Sequence, residues 1–162
     1  MLSNNYGNSW QFPQLFDNIS EVYDLTISSS GQYQTAVIGF SSIGKIYVSN
    51  DYGQTWTSKD SDREWNGISI SATGQYQVAC AYNGQIYLSS DYGGTWNPKE
   101  SNRYWSGISI SGSGQYITAK DCISGGIYIS QISFGSGGEG PTGPQGPQGL
   151  TGPQGIQGVQ GS

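Results

Sequence analysis

The octapeptide Ser49-Asn-Asp-Tyr-Gly-Gln-Thr-Trp56 decides the architecture, because it returns about forty residues later as Ser89-Ser-Asp-Tyr-Gly-Gly-Thr-Trp96. A divergent (worn) copy, Ser3-Asn-Asn-Tyr-Gly-Asn-Ser-Trp10, lies at the start of the sequence. A fixed period of this size is typical of a repeat array, in which each unit is a supersecondary element that cannot bury its apolar face alone. We therefore predict a stack of similar units.

Other short segments repeat with the same period. An Ile-Tyr dipeptide recurs at Ile46, Ile86 and Ile127, and a Gly-Gln-Tyr tripeptide recurs at Gly31, Gly74 and Gly114. The runs around them are rich in β-branched and aromatic residues and are bounded by Gly, Ser and Asn, which is typical of strands joined by tight turns. No stretch has a helical period.

The second copy predicts four strands per unit, near residues 67–71, 75–81 and 85–89 and from Thr95 onward. Ala72-Thr-Gly74 and Tyr82-Asn-Gly84 are the predicted hairpin turns, since Gly and Asn tolerate positive φ. Four antiparallel strands in about forty residues indicate one blade of a β-propeller.

The pattern Ser-x-Asp-x-Gly-x-Thr-Trp closely resembles the Asp-box, or BNR repeat, found between the third and fourth strands of propeller blades in sialidases, sortilin-like receptors and many secreted or viral binding proteins. This resemblance implies that the boxes hold hairpins together on the rim, away from any ligand. The matching residues are Ser49, Asp51, Gly53, Thr55, Trp56, Ser89, Asp91, Gly93, Thr95 and Trp96.

The strand count indicates about three propeller-like units within residues 1–136. The last unit ends after a third strand near residues 127–130, and an N-terminal strand near residues 10–13 is predicted to complete it and so remove an exposed edge. Three blades are fewer than the usual four to eight. The chain is therefore a fragment, combines blades with other copies, or forms a compact three-fold β structure.

Residues 137–162 form a second segment, with Gly at every third position from Gly140 to Gly161. Only Gly fits at the axis of three wound polyproline-II chains, so this collagen-like tail predicts a homotrimer. Its Gly-Pro-Gln, Gly-Leu-Thr and Gly-Ile-Gln triplets resemble the collagen-like segments of giant viruses, phages and bacterial surface proteins. A flexible Gly-rich linker is the alternative.

Composition limits the partners. Only 10% of the residues are charged and the net charge is −5, so we expect no nucleic-acid binding. No apolar run is long enough for a membrane span, and the first residues lack the features of a secretory signal. We predict a virion surface or another extracellular surface as the location. Cys80 and Cys122 are interpreted as buried free thiols, with a disulfide as the alternative.

The residues available for chemistry argue against an enzyme. The resemblance raises sialidase activity, which in that family needs three arginines, a Tyr–Glu nucleophile pair and an acid/base Asp. This chain has only Arg63 and Arg103, and it contains no His. We therefore expect no catalytic residues, no metal site and no cofactor.

Two functions remain in competition, with a sialidase-like glycoside hydrolase as a weaker third. The first is a binding head on a trimeric stalk that recognises a glycan or a host-surface receptor through aromatic and arginine side chains. The second is a purely structural component of a virion fibre or spore coat, in which the same side chains pack between blades. The candidate binding residues are Arg63, Trp65, Arg103, Tyr104 and Trp105.

Overall fold

The computed structural model describes residues 21–40 and 43–133, which form three antiparallel sheets. The first sheet contains β1 (Glu21–Ile27), β2 (Gln34–Phe40), β3 (Ile43–Ser49) and β4 (Thr57–Ser58). The second contains β5 (Trp65–Ile70), β6 (Gln77–Ala81), β7 (Ile86–Ser89) and β8 (Asn97–Pro98), and the third contains β9 (Trp105–Ile110), β10 (Tyr116–Asp121) and β11 (Ile127–Gln131).

The predicted all-β class and the four-strand unit are confirmed for the first two sheets, each of which pairs in the order of its sequence. Three predicted features lie outside the described residues: the worn octapeptide copy, the closing strand near residues 10–13, and the collagen-like tail. Among the described residues the third sheet has three strands, in the order β11-β10-β9.

The fourth strands are short, and that of the second sheet begins at Asn97, two residues after the predicted Thr95. Each pairs with its neighbour over only two residues, and pairing to the start of the third strand resumes at the isolated bridges Gly44–Arg63 and Gly84–Arg103. In β8, Pro98 has no N–H to donate to a ladder. In both sheets the pairing between the third and fourth strands is interrupted. It resumes at the bridges formed by Arg63 and Arg103.

The predicted turns form where the sequence places them. Gly74 has φ +85° and Asn83 has φ 49°, both in the left-handed region. The backbone N–H of Gly74 donates to the carbonyl of Ser71 (3.0 Å), and the N–H of Tyr76 donates to the Ser71 hydroxyl (3.1 Å). The same serine contact recurs at the equivalent turn of each sheet.

The sheets stack in sequence order, with β5 against β1 and β2 and β9 against β5 and β6. Two apolar layers form the core. The layer between the first and second sheets contains Val37, Ile46, Val48, Trp65, Ile68, Ala79, Ala81 and Tyr87. The layer between the second and third sheets contains Cys80, Ile86, Trp105, Ala119, Val78, Ile110 and Ile117.

Burial of the central strands follows from this stacking. All five residues of β6 are buried, because a sheet covers each of its faces. In β10 buried and exposed residues alternate strictly, because only the second sheet covers it within the described part of the chain. The third sheet therefore presents one covered face and one open face.

The two cysteines are not bonded to each other in the described part of the chain. Cys80 lies in β6 and is fully buried, as expected. The expectation of burial is wrong for Cys122, which is exposed. The reason is that β10 ends at Asp121, so Cys122 falls in the following turn and not in the strand.

Candidate functional site

The first octapeptide closes the β3–β4 hairpin through its own side chains. The Ser49 hydroxyl donates to Asp51 Oδ1 (2.8 Å) and accepts the N–H of Gly53 (2.9 Å). Asp51 in turn accepts the N–H and the hydroxyl of Thr55, at 2.9 and 2.6 Å. The Trp56 indole N–H donates to the carbonyl of Gly53 (3.1 Å). Every signature position therefore has a local partner.

The second octapeptide repeats this geometry. Ser89 donates to Asp91 at 2.7 Å, Thr95 donates its N–H and hydroxyl to Asp91 at 2.9 and 2.8 Å, and Trp96 donates to the carbonyl of Gly93 at 3.1 Å. The residues before and at the glycine have positive φ in both copies, 63° and 80° in the first and 60° and 81° in the second. Glycine is needed at the second of these positions.

These hydrogen bonds shift the aspartate pKa values. The hydroxyl and N–H of Thr55 lower the pKa of Asp51 from 3.8 to about 2. At Asp91, partial burial works to raise the pKa, but the bonds from Thr95 and Ser89 outweigh it and the net shift is downward. Hydrogen bonds to the ionised form stabilise it. Both carboxylates therefore act as acceptors that hold a turn, and neither is raised toward the range of a general acid.

The two arginines join consecutive sheets. The Arg63 backbone pairs with Gly44 of the first sheet at 2.9 and 3.0 Å, while its guanidinium lies 4.4 Å from the ring centre of Tyr87 in the second. Arg103 pairs with Gly84 in the same way and lies 4.7 Å from the ring of Tyr128 in the third. Cation–π contacts of this kind are favourable. Each arginine thus spans one junction between sheets.

The five candidate binding residues differ in how far they are exposed to solvent. Trp65 and Trp105 are 2% and 0% exposed, so neither indole face is open to a ligand. Each instead contacts a tyrosine of its own sheet edge to face, with ring centres 5.2 and 5.1 Å apart. The two guanidiniums are half-buried over those same aromatic groups. Of the five, Tyr104 has the exposed aromatic side chain.

A cleft of about 400 Å³ opens beside Arg63, between the β6–β7 turn and the linker that leads to β9. Tyr82 lies at its edge, and its ring is 5.3 Å from that of Tyr104, edge to face, with both rings partly exposed. The lining residues are Arg63, Glu64, Ala81, Tyr82, Asn83, Gly84, Gln85, Tyr87 and Asn102. The cleft combines an exposed aromatic ring with amide and carboxylate groups.

Sequence reasoning missed most of this cleft. It assigned Tyr82 and Asn83 to a turn and did not consider them as contacts. Tyr104 was selected, but the partner that meets it across the linker was not. A usable signal was present in Tyr82, because a large aromatic residue directly before an Asn-Gly turn is not needed to form the turn.

The octapeptides lie at the opposite end of each sheet from the cleft. They follow β3 and β7, at the end where the Gly-Gln-Tyr turns also lie, and the N–H groups of Tyr52 and Tyr92 donate to the carbonyls of Gln32 and Gln75 (3.1 Å each). The cleft lies at the other end, where β6 turns into β7. The octapeptide carboxylates therefore do not face it.

Comparisons with solved structures identify the fold. YCF48 from Cyanidioschyzon merolae superimposes with a TM-score of 0.55 at 15% identity, over 67% of this chain and 33% of that one. YCF48 bound to D1 peptide has a TM-score of 0.55 at 18% identity, over 67% and 37%. Kuenenia stuttgartiensis hydrazine synthase has a TM-score of 0.56 at 14% identity, over 76% and 36%. These are β-propeller proteins, so the described part of the chain has a propeller-like fold.

The likeness extends to the fold alone. The chain spans about a third of the length of each of these structures, and the identities are far below those that carry function. No protein-family model and no curated protein matches the sequence. Among residues 21–40 and 43–133 there is no cluster of metal-ligating side chains and no helix that could span a membrane.

Proposed function

We propose that this protein is a non-catalytic surface or fibre protein, in which a propeller-like head binds a glycan and residues 137–162 form a homotrimeric collagen-like stalk. The observation that carries the binding role is the cleft beside Arg63 with its exposed Tyr82–Tyr104 pair. The proposal keeps the octapeptides as Asp-boxes with a structural role, because their hydrogen bonds are used up within their own turns.

The chemistry of the cleft suits a sugar better than a charged or apolar ligand. Aromatic faces stack on the C–H surface of a sugar ring, and amide and carboxylate edges hydrogen-bond its hydroxyls. The Tyr82 ring supplies the first kind of group, with Tyr104 beside it outside the cleft lining, and Asn83, Asn102 and Glu64 supply the second. The site is open and shallow, which favours a chain end or a single residue of a glycan.

A trimeric stalk would make weak binding useful. One open cleft of this kind gives low affinity, but three copies on one stalk bind a surface with many glycans much more tightly, provided that the spacing matches. Strict Gly-X-Y spacing supports the stalk. The proposed location is accordingly a virion surface or another extracellular surface.

The test is a glycan array probed with the full-length chain, followed by titration calorimetry with the best ligand. We expect Tyr82→Ala and Tyr104→Ala each to weaken binding at least about tenfold, because loss of a stacking ring at a sugar site costs more than ~1 kcal/mol. Tyr52→Asn is the matched control, since it removes an exposed tyrosine at the opposite end of the first sheet and Asn tolerates positive φ. Absence of any bound glycan, or equal loss in the control, contradicts the proposal.

A second candidate is a purely structural virion fibre or spore-coat protein. It is favoured by the burial of Trp65 and Trp105 and by the stacking of both arginines within the chain. In that case the Tyr82–Tyr104 pair only packs the linker against the turn. The two tyrosine variants would then lower thermal stability without changing retention on any glycan.

A further inference from the structure

The junctions between sheets repeat within the chain, and the two ends of the stack carry the unused halves of one more junction. We define the leading face as the side of the first sheet that points away from the second, with Val22, Leu25 and Ile27. We define the trailing face as the side of the third sheet that points away from the second, with Tyr116, Thr118, Lys120, Ile127 and Ile129.

The β1 part of the leading face is apolar and open, whereas Ala36 and Ile38 of β2, on the same face, are buried. Leu25 is 67% exposed, whereas its repeat equivalent Ile68 is 4% exposed against the first sheet. Val22 is 54% exposed, whereas its equivalent Trp65 is 2% exposed. The trailing face behaves likewise, since Ile127 is mostly exposed and its equivalent in β7 is buried. Exposed apolar side chains at positions that are buried elsewhere in a repeat indicate a missing neighbour.

A series of backbone hydrogen bonds connects equivalent turns across the internal junctions. It ends at the first and the third sheet. The N–H of Ser29 donates to the carbonyl of Ala72 (3.0 Å), and the N–H of Ala72 donates to the carbonyl of Gly112 (2.8 Å). Within the described residues, neither the N–H of Gly112 nor the carbonyl of Ser29 has a partner. The first is therefore a spare donor on the trailing side, and the second is a spare acceptor on the leading side.

A contact between tyrosine and glycine shows the same periodicity. The Tyr33 ring lies 2.5 Å from where a Cβ on Gly74 would be, and the Tyr76 ring lies 2.5 Å from the same point on Gly114. Tyr116, the next tyrosine in the series, is half-exposed. Gly31, the first glycine, has no such ring over it, since its closest neighbours are Ile27 and Tyr52 at 3.8 and 3.9 Å. One tyrosine and one glycine remain unmatched, at opposite ends.

Side-chain sizes also fit an end-to-end contact. At the internal junctions a small residue packs in the same cluster as a tryptophan, Val37 with Trp65 and Cys80 with Trp105. The equivalent positions at the ends are Lys120 and Val22, so the large and small members are exchanged. The Lys120 stem is long enough to pack on Val22 while its ammonium group reaches the rim of the junction.

We propose that the trailing face of one chain docks on the leading face of a second copy of this chain, head to tail. The contact continues the internal junctions: Gly112 N–H donates to the partner's Ser29 carbonyl, Tyr116 packs on the partner's Gly31, and the Lys120 stem packs on the partner's Val22. A head-to-tail contact that closes generates a ring and leaves no open sheet end. Two copies give six sheets, within the usual range of four to eight blades, and the two copies of such a ring would belong to two different stalks.

Disulfide crosslinking of the full-length chain in a Cys122→Ser background tests this contact. Internally, a Cβ on Gly67 would lie 3.5 Å from Ile108, and the equivalent pair between copies is Gly107 with the partner's Leu25. A chain with Gly107→Cys and a separate chain with Leu25→Cys, mixed and mildly oxidised, should give a disulfide-linked pair. Gly107 has open space around its Cβ position and Leu25 is exposed, so both variants should fold.

The controls make the result decisive. Ile123→Cys replaces an exposed residue on the β10–β11 turn, off the leading face, and should not crosslink to Gly107→Cys. Ile127→Asp in the Gly107→Cys chain should lower the yield about tenfold, because it places a carboxylate in the apolar contact. If the two variants do not crosslink, or if one chain carrying both cysteines forms only an internal disulfide, the proposal is overturned. An internal disulfide would mean that the leading and trailing faces of the same chain contact each other.

Discussion

At the scale of single residues, the octapeptide aspartates stabilise their turns as charged hydrogen-bond acceptors. Asp51 accepts two hydrogen bonds from Thr55 and one from Ser49, and all three are stronger to the ionised carboxylate than to the protonated acid. The pKa of Asp51, lowered to about 2, expresses the same fact. Protonation of this group should therefore loosen the turn without disturbing the sheet around it.

This predicts a specific response to acid. Because the folded-state pKa of Asp51 lies below the ordinary value of 3.8, its contribution to stability is complete above about pH 4 and is lost as the pH falls through about 2. In a two-dimensional NMR titration the amide signal of Thr55 should shift with a midpoint near 2. In Asp51→Asn that shift should vanish. A midpoint near 3.8 in the unaltered chain would show that the turn does not depend on the ionised form.

Local and long-range contacts differ in how well the sequence reveals them. The octapeptide geometry was predictable, because every partner of Asp51 lies within a few positions of it in the chain. For Trp65 the sequence named packing between blades as one of two roles but could not identify its neighbours, because they are Val37 and Ile46 of another sheet. Composition gave the number of aromatic residues, but which ones remain exposed depends on how the sheets stack.

At the scale of secondary-structure elements, the Gly-Gln-Tyr turn serves two neighbours at once. Gly74 has φ +85°, and the Tyr33 ring of the preceding sheet packs against it in the space that a Cβ would occupy. The sequence predicted the turn from this glycine but could not show the ring that lies on it. A turn residue thus also sets the spacing between two sheets.

Replacing this glycine should therefore cost more than turn strain alone. Gly74→Ala forces an L-residue into positive φ and places a Cβ 2.5 Å from the Tyr33 ring, so we expect a loss of about 2–4 kcal/mol in the free energy of unfolding. Gly125→Ala is the matched control, because Gly125 also has positive φ (66°) but nothing lies within 4 Å of its Cβ position, and it should lose only about 1 kcal/mol. Urea denaturation measures both. Equal losses would mean that the ring contact does not matter.

At the scale of the whole molecule, the sequence predicted the strands within a unit. It did not predict which sheets would lack a neighbour. The segments 75–81 and 85–89 were close to the observed β6 and β7 because the repeat gives each strand twice or more. Whether a sheet has a neighbour on both sides is a property of the assembly. The strict alternation of exposure in β10 against the full burial of β6 is how that property appears in the structure.

The two internal junctions should also differ in strength. The first layer unites eight buried residues in one cluster, whereas the second is divided into two smaller clusters. Since each junction contributes separately in a stacked repeat, the third sheet should detach from the second at lower free energy than the first sheet does. Cys80 reports on the weaker junction, and a cysteine at the equivalent position Val37 would report on the stronger one.

Thiol labelling measures this difference directly. In Cys122→Ser, Cys80 should be protected, because burial, and secondarily the charge of Asp24, raise its pKa to about 12 and hide the sulfur. Its labelling by an aromatic disulfide reagent should nevertheless be at least about tenfold faster than that of Val37→Cys in a chain lacking both native thiols, which corresponds to ~1.4 kcal/mol less to open the junction. Equal labelling rates, matching the rate of global unfolding, would show instead that the three sheets open as one cooperative unit.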